Sequence, residues 1–358
     1  MPPILNAQRS AATASAAHRK TRRTTAGRLS LAALAVLATA AGLTGCTQAS
    51  ANLDGAPGTG GTSSSASPSI SPLSEDAKAA GLLPADVRTK GTMVIGTDPT
   101  FPPFESYAGD NKTVVGFDAD IAAALGQVLG LKVQMVPATF DTILPGIGTG
   151  KYDVGISAFQ ETAERQKNAD FVSYSQGGTA IAVPAGNPQH LATEFSALCG
   201  HKIATEKGTK QGIDLLPAFS AQCTAAGKQP IDIQLFPTMN DVNLALRSGR
   251  VDGVMSDSSS MAYQAKLSGD AFELAPGKDF DPAVSGIALP KDSPLTPAVR
   301  AAMVALAGSP AYKDINTKWG MPDGNMVTPA QVAGPGAGPG AGPGAGTAEP
   351  TTPPTAGQ

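Results

Sequence analysis

Histidine is scarce in this chain of 358 residues, with three in all, and tryptophan occurs once. The nearest pair of histidines, His190 and His201, is too small a set and lacks the spacing of metal ligands. No Ser-His-Asp order is present, and no phosphate loop. Gly148-Thr149-Gly150-Lys151 resembles a fragment of one, but Pro145 stands where the first glycine belongs and Tyr152 where the hydroxyl belongs. These absences leave triad hydrolysis, metal chemistry and phosphate chemistry without residues to carry them, and no cofactor is expected. Charge is sparse too, and one-sided once the N-terminus is set apart. Residues 1–45 hold six basic residues and no acids, which leaves 20 basic against 29 acidic residues beyond them, a net of −9. An acidic body without basic or aromatic tracts argues against nucleic acid as a partner.

The only long apolar run, Leu29 to Leu43, follows Arg28 and is short for a membrane span. It ends in Leu43-Thr44-Gly45-Cys46, which resembles the lipobox of bacterial lipoproteins. That resemblance implies a signal peptide over 1–45, cleavage before Cys46, and a diacylglycerol thioether on that cysteine, anchoring the protein to the extracytoplasmic face of the cell membrane. Two or more acyl chains anchor stably where one is marginal. Arg22-Arg23 leaves twin-arginine or general export open. Of the chain's three cysteines, Cys199 and Cys223 then remain, and in an oxidising compartment they are expected to pair. A Gly/Ser/Thr/Pro/Ala stretch reads as a flexible tether over 46–84, with a reach of roughly 30 Å for thirty such residues. The end of the chain, 326–358, reads as a disordered tail rich in Pro, Gly and Ala.

Between these ends the pattern alternates. Met93–Gly96, Val133–Val136 and Val154–Ile156 read as short apolar strands. Phe117–Leu129 carries Ile121, Leu125, Val128 and Leu129 at helical spacing before Gly130. A second series follows, with strands at Thr179–Val183, Lys202–Thr205, Ile231–Phe236, Gly253–Met255 and Ser285–Leu289, interleaved and followed by helices. Strand–helix alternation predicts a parallel sheet with helices on its faces, and ligands at the carboxyl ends of the strands. The strand ends are therefore the places to read. After the first comes Thr97 to Glu105, stiffened by three prolines and carrying Phe101 and Phe104. Phe140 follows the second. After the third, Thr162 caps a helix with Arg165 in its first turn. An arginine there suits a carboxylate, or is a solvated helix residue. The phenylalanines line a pocket or plug the top of the domain.

The ordered series GTDPTFPPFE, VGFDADIAAALGQVLG, TFDTILPGIGTGKYDVGIS, ETAERQKNADF, KIATEKGT, LALRSGRVDGVMSD, GIALPKDSPL and YKDINTKWG, over residues 91–320, resembles solute-binding protein family 3, the extracytoplasmic amino-acid-binding proteins of ABC importers. The resemblance implies a type II periplasmic-binding-protein fold, with two α/β lobes joined by two hinge strands and the ligand in the interlobe cleft. Lobe 1 would span 85–179 and return over 284–325, lobe 2 would span 180–283, and hinges would fall near Ser175–Thr179 and Val284–Ile287. It implies that Arg165 takes a ligand α-carboxylate, Asp257 the α-ammonium, and Ala158 a backbone contact. Asp98, Phe101 and Phe140 would line the side-chain end, while Thr209 and Lys210 would lie in the turn that caps the carboxylate, Lys210 either contacting it or reaching solvent. Gln160 stands where the family usually has Thr or Ser. Glu206, with Asp98, makes an acidic pocket for a basic side chain, or is a solvated acid paired with Lys207 or Lys210. The implied function is capture of a polar amino acid by a monomeric, non-enzymatic protein for an ABC permease. Two other classes stay open, a cyclohexadienyl dehydratase with Glu161 or Glu206 as general acid, and a receptor module.

Overall fold

The computed structural model describes residues 69–334, apart from Asp270. The expected signal peptide, Cys46, most of the tether and the Gly-Pro-Gly-Ala tail lie outside the described residues.

Chain order within the body begins earlier than the composition suggests. Helix α1 (Ala77–Gly81) is capped by the Asp76 side chain, which accepts from Ala79 N at 2.9 Å. Ala79 and Leu83 are buried in the main core, and Ser71 N donates to Asp314 at 2.9 Å. The tether expected over 46–84 is therefore corrected at its end: four apolar residues, Ile70, Leu73, Ala79 and Leu83, pack where a Gly/Ser-rich spacer would not. A similar correction applies to the tail expected from 326. Val327 and Val332 are buried, and a short helix at Pro329–Ala333 opens with a capping box between Thr328 and Gln331.

Helix α2 (Ala85–Lys90) leads into β1 (Thr92–Thr97). The proline-rich stretch then folds into a small antiparallel sheet, β2 (Thr100–Phe101), β3 (Glu105–Tyr107) and β4 (Val114–Val115). Helix α3 (Phe117–Leu129) ends at left-handed Gly130, as its spacing predicts. Next come β5 (Lys132–Pro137), α4 (Phe140–Gly148), β6 (Val154–Gly155) and the single turn α5 (Ala163–Gln166). Strands β1, β5 and β6 are parallel, with β1 between the other two. The long strand β7 (Ala169–Pro184) leaves this lobe for the second one.

There, β8 (Lys202–Glu206) is followed by a π-helical turn, Gln211–Leu215, that runs into α6 (Leu216–Ala225). Strand β9 (Asp232–Phe236), helix α7 (Met239–Arg247), β10 (Gly253–Asp257), α8 (Ser258–Leu267) and β11 (Phe272–Leu274) complete it. The chain returns along β12 (Phe280–Pro290) to α9 (Thr296–Ala307), α10 (Pro310–Lys318) and α11, the helix at Pro329–Ala333.

All the long strands form one sheet in the order β5-β1-β6-β12-β7-β10-β8-β9, with β11 also on β7. The parallel expectation holds for β1, β5 and β6 and for β8, β9 and β10, and is corrected at the crossing strands: β7 and β12 run antiparallel to each other, β12 to β6, and β7 to β10 and β11. Their register slips between Phe280 and Ala283 and again between Ser285 and Gly286, so the ladder is interrupted where the chain crosses. Alternation along β7 explains why one strand serves two cores in lobe 2. Ile181 and Val183 face the cluster with Leu198, Leu216 and Cys223, and Ala182 faces the one with Val242, Leu246 and Met261. Cys199 and Cys223 are joined by a disulfide beside the first of these cores.

Candidate functional site

The strand ends of both lobes meet around a narrow, partly open cavity. Its floor is the turn after β6. Ala158 sits there at φ 46°, in the left-handed region, where alanine is strained. Two bonds hold it: its N–H donates to Asp118 Oδ2 at 3.1 Å and to the Tyr174 hydroxyl oxygen at 3.0 Å. The Tyr174 O–H donates in turn to Asp118 Oδ1 at 2.8 Å. Asp118 lies beside Glu105, and both are fully buried. Burial and the neighbouring Asp118 push Glu105 well above the carboxylate range, so Glu105 holds the proton of the pair. Ser157 Oγ donates to Glu105 and accepts from Asp98 N at 3.1 Å, which ties the floor to the loop after β1. The backbone contact expected from Ala158 is corrected here for its amide: that N–H points into lobe 1, and the residue lines the cavity without offering it.

Arg165 supplies the positive pole. Thr162 caps its turn, accepting from Arg165 N at 3.2 Å. The guanidinium donates to Gln160 O at 2.6 Å and, across the cleft, to Gly208 O at 2.9 Å. It also lies over the rings of Phe140 and Phe159, at 5.6 and 5.7 Å. Burial draws its pKa down to about 10, against the pull of Asp214, so it stays cationic at neutral pH. Among the described residues no carboxylate is within ion-pair distance of it. A half-buried arginine bonded only to carbonyls retains its charge for another partner.

Asp257 supplies the negative pole from the end of β10. It caps α8, its Oδ1 accepting from Ser259 N at 2.9 Å and Ser260 N at 3.0 Å. Burial raises its carboxyl to about 6, opposed by those two bonds, and it lines the same cavity as Arg165.

Around these poles the expected residues divide. Phe101, stacked on Phe104 at 5.6 Å, and Phe140 both line the cavity. Gln160 does too, its Oε1 accepting from Gln211 Nε2 at 3.4 Å. Thr209 lines the wall while its hydroxyl donates to Glu206 O at 2.7 Å. Lys210 presents only its stem, because its ammonium forms an ion pair with Asp281 on β12. The carboxylate cap expected of that charge is thereby corrected. Asp98 and Glu206 are absent from the wall. Their carboxyls act on each other, each residue only 3% exposed, beside Phe140, whose N–H donates to Asp98 Oδ2 at 2.8 Å. Glu206 is therefore not a solvated surface acid, and Lys207 pairs with Asp141 instead, at 2.8 Å. Glu161, the other candidate acid, bonds Ser173 and Gln166 away from the cavity.

Three lining residues were not expected: Ser157, Gln211 and Ser256. Each adjoins an expected residue in sequence, and strand alternation alone does not say which of two neighbours faces inward. Closure is visible in further bonds between lobes, Ser260 Oγ to Pro102 O at 2.7 Å and Met239 N to Thr100 Oγ1 at 3.3 Å.

Residues 93–322 match the model of the bacterial extracellular solute-binding proteins, family 3. The chain belongs to this family. Among this family 3 protein's relatives, the arginine-binding protein ArgT of Corynebacterium glutamicum is 32% identical over 243 residues, 68% of this chain and 79% of the relative. The L-cystine-binding protein TcyJ of Escherichia coli is 26% identical over 65% of this chain and 84% of its own. Among solved structures, an ancestral arginine-binding protein bound to arginine shares 30% identity at a TM-score of 0.58, covering 64% of this chain and 98% of that one. An ancestral amino-acid-binding protein described as a precursor of cyclohexadienyl dehydratase shares 29% at 0.56, covering 65% and 97%. The fold of the family 3 protein is accordingly the type II periplasmic-binding-protein fold, and its relatives are amino-acid-binding proteins.

Proposed function

We propose that this family 3 protein is a lipid-anchored capture protein that clamps a polar amino acid between its lobes and delivers it to an ABC permease. One observation carries the reading: a half-buried guanidinium without an acid and a buried carboxylate without a base face one cavity, from opposite lobes. An amino acid is a zwitterion, so its carboxylate suits Arg165 through a two-pronged bond and its ammonium suits Asp257. Bridging both poles needs the lobes shut, which turns occupancy into a shape that a permease can read. Ala158, Gln160 and Thr209 complete the backbone end, with Phe101 and Phe140 as walls along the ligand. A basic side chain is the best supported choice among polar ones. Asp98 and Glu206 set two acids at the Phe101–Phe140 wall, and several relatives are named for arginine. The lipobox supports anchoring at Cys46, and the protein acts as a monomer without enzymatic activity.

Thermal-shift titration of the purified mature protein with the twenty amino acids and ornithine tests this. A saturable rise is expected with arginine, lysine or ornithine. A specific observation favours one rival, since Glu206 keeps its proton to about 9 and so resembles a general acid. If no amino acid binds and prephenate is consumed, the dehydratase reading replaces the transport one.

A further inference from the structure

We propose that Asn325 is a latch that positions the Asp257 pole: its side chain ties the head of α8 to lobe 1 only when the lobes are shut. The proposal rests on the amino-acid-binding reading and adds a residue, outside the cavity, that sets how long a closed cleft stays closed.

The latch belongs to a strap over 321–334, most of which lies beyond the family match that ends at 322. Lobe 1 holds the strap on both sides of Asn325. Asn316 Nδ2 donates to Met321 O at 2.9 Å, and Val327 N donates to the Tyr312 hydroxyl oxygen at 3.0 Å. Further on, Arg300 Nη1 donates to Val332 O at 2.7 Å, and Val332 is buried in the main core. Between these anchors the turn Asp323–Asn325 crosses β7 beside the hinge. Ser175 Oγ donates to Asn325 O at 3.3 Å, and Gln176 Nε2 donates to Gly324 O at 2.9 Å. The backbone of the turn is thereby engaged by lobe 1, and the Asn325 side chain is left for lobe 2. The residue is 7% exposed, and its Nδ2 donates to Ser259 Oγ at 2.8 Å.

Ser259 is in the first turn of α8, and its N–H donates to Asp257 Oδ1 at 2.9 Å. The next residue, Ser260, reaches Pro102 O at 2.7 Å. Two adjacent serines thus fix the head of α8, and with it the carboxylate, against two separate segments of the other lobe. Gly177 marks where strap, pole and hinge meet. A Cβ there would lie 3.0 Å from Asp257 Oδ2 and 3.6 Å from Asn325 Nδ2. One slip of the β7–β12 register lies opposite Gly177 and Thr179, so the strand pair bends at this junction. Opening turns lobe 2 about that bend and carries Ser259 away from a strap that stays on lobe 1. About 1 Å of travel takes the bond out of hydrogen-bond range. A buried bond lost on opening favours the closed form by about 2- to 10-fold. Asn325 does not line the cavity, so that factor is the same for every amino acid. The bond forms after the ligand is in, so the factor falls on release and not on capture.

Asn325→Ala removes the donor and leaves the backbone bonds of the strap. Ser259→Ala removes the acceptor from the lobe 2 side and leaves the N–H that donates to Asp257. Stopped-flow binding to the mature protein uses L-arginine first, then every other amino acid that raises the parent's melting temperature. Each variant is expected to release ligand about 2- to 10-fold faster, by one factor for all ligands, with association within about twofold of the parent's. The double variant is expected to release no faster than the single ones, because all three lack the same bond. A merely structural role would lower the melting temperature of the unliganded variants and leave release unchanged, and that result overturns the latch. Effects that add in the double variant overturn it too, as does a factor that changes with the ligand. A parent that binds no amino acid instead overturns the functional reading beneath it.

Discussion

Gly208 joins the two lobes through its carbonyl, and adding one methyl group there separates closure from folding. The residue adopts φ +85°, and its carbonyl accepts the bond from Arg165 at 2.9 Å. A Cβ at this position would lie 2.8 Å from Asp141 Cβ and 3.1 Å from Asp141 Cα. Asp141 belongs to α4 of the opposite lobe, so the neighbour that must yield is helix backbone and not a side-chain tip. Gly208→Ala thus has two consequences. Placing an L-residue in the left-handed region costs roughly 1–2 kcal/mol whether the cleft is open or shut. Overpacking against α4 costs about 1–3 kcal/mol more, and only in the shut form. The first part lowers the melting temperature of the unliganded protein; the second lowers ligand affinity by about 5- to 150-fold. Gly227→Ala is the control, because that residue is also left-handed, at φ +71°, with no atom within 4 Å of the added carbon. It should melt earlier and bind normally. Calorimetric titration of both variants, alongside unliganded melting curves, gives the comparison. If Gly208→Ala binds as tightly as the parent, the bound state does not use this closed arrangement and the reasoning fails.

Arg165→Ala should cost about 2 kcal/mol or more in affinity for any α-amino acid, at least thirtyfold, because the ligand carboxylate is then buried alone; an unchanged dissociation constant would sink its assignment. Replacing Cys199 and Cys223 together by serine opens a loop of sequence separation 24, worth about 3.4 kcal/mol in the chain-entropy model, and the urea midpoint should fall accordingly. A midpoint equal to the parent's would show that the bridge constrains nothing in the unfolded chain.

Much of the fold was legible because periodicity is local. Phe117–Leu129 is a helix over the residues its spacing named, and Thr162 caps the turn that carries Arg165. The strand ends likewise marked the cavity, since a parallel sheet sends its loops to one edge. What stayed hidden depends on contacts between distant segments. Ala79 and Leu83 follow a low-complexity stretch and look like its continuation until the core they fill is known. Lys210 looks available for a carboxylate because nothing within the local sequence announces Asp281, about seventy residues on. The orientation of the Ala158 amide is set by Asp118 and Tyr174, neither of them adjacent in sequence. For Glu206, sequence left two roles open, and the decision came from Asp98 on the other lobe.

The charges of the closed cleft then divide the work of recognition. Arg165 and Asp257 are complementary to the groups that all α-amino acids share, so they cannot discriminate among them. Neither has its charge met by the protein: Arg165 is bonded to carbonyls, and Asp257 to two backbone N–H groups. Discrimination must come from groups that meet the side chain, and there the protein offers rings and an acid pair. Rings accept many side chains at similar cost, because aromatic contact tracks area more than identity. Asp98 and Glu206 differ in kind, since a buried acid pair beside Phe140 suits a cation better than a neutral group. In the proposed reading, selectivity is set where the ligand side chain meets the lobes, while grip on the ligand comes from two poles that stay the same for every amino acid.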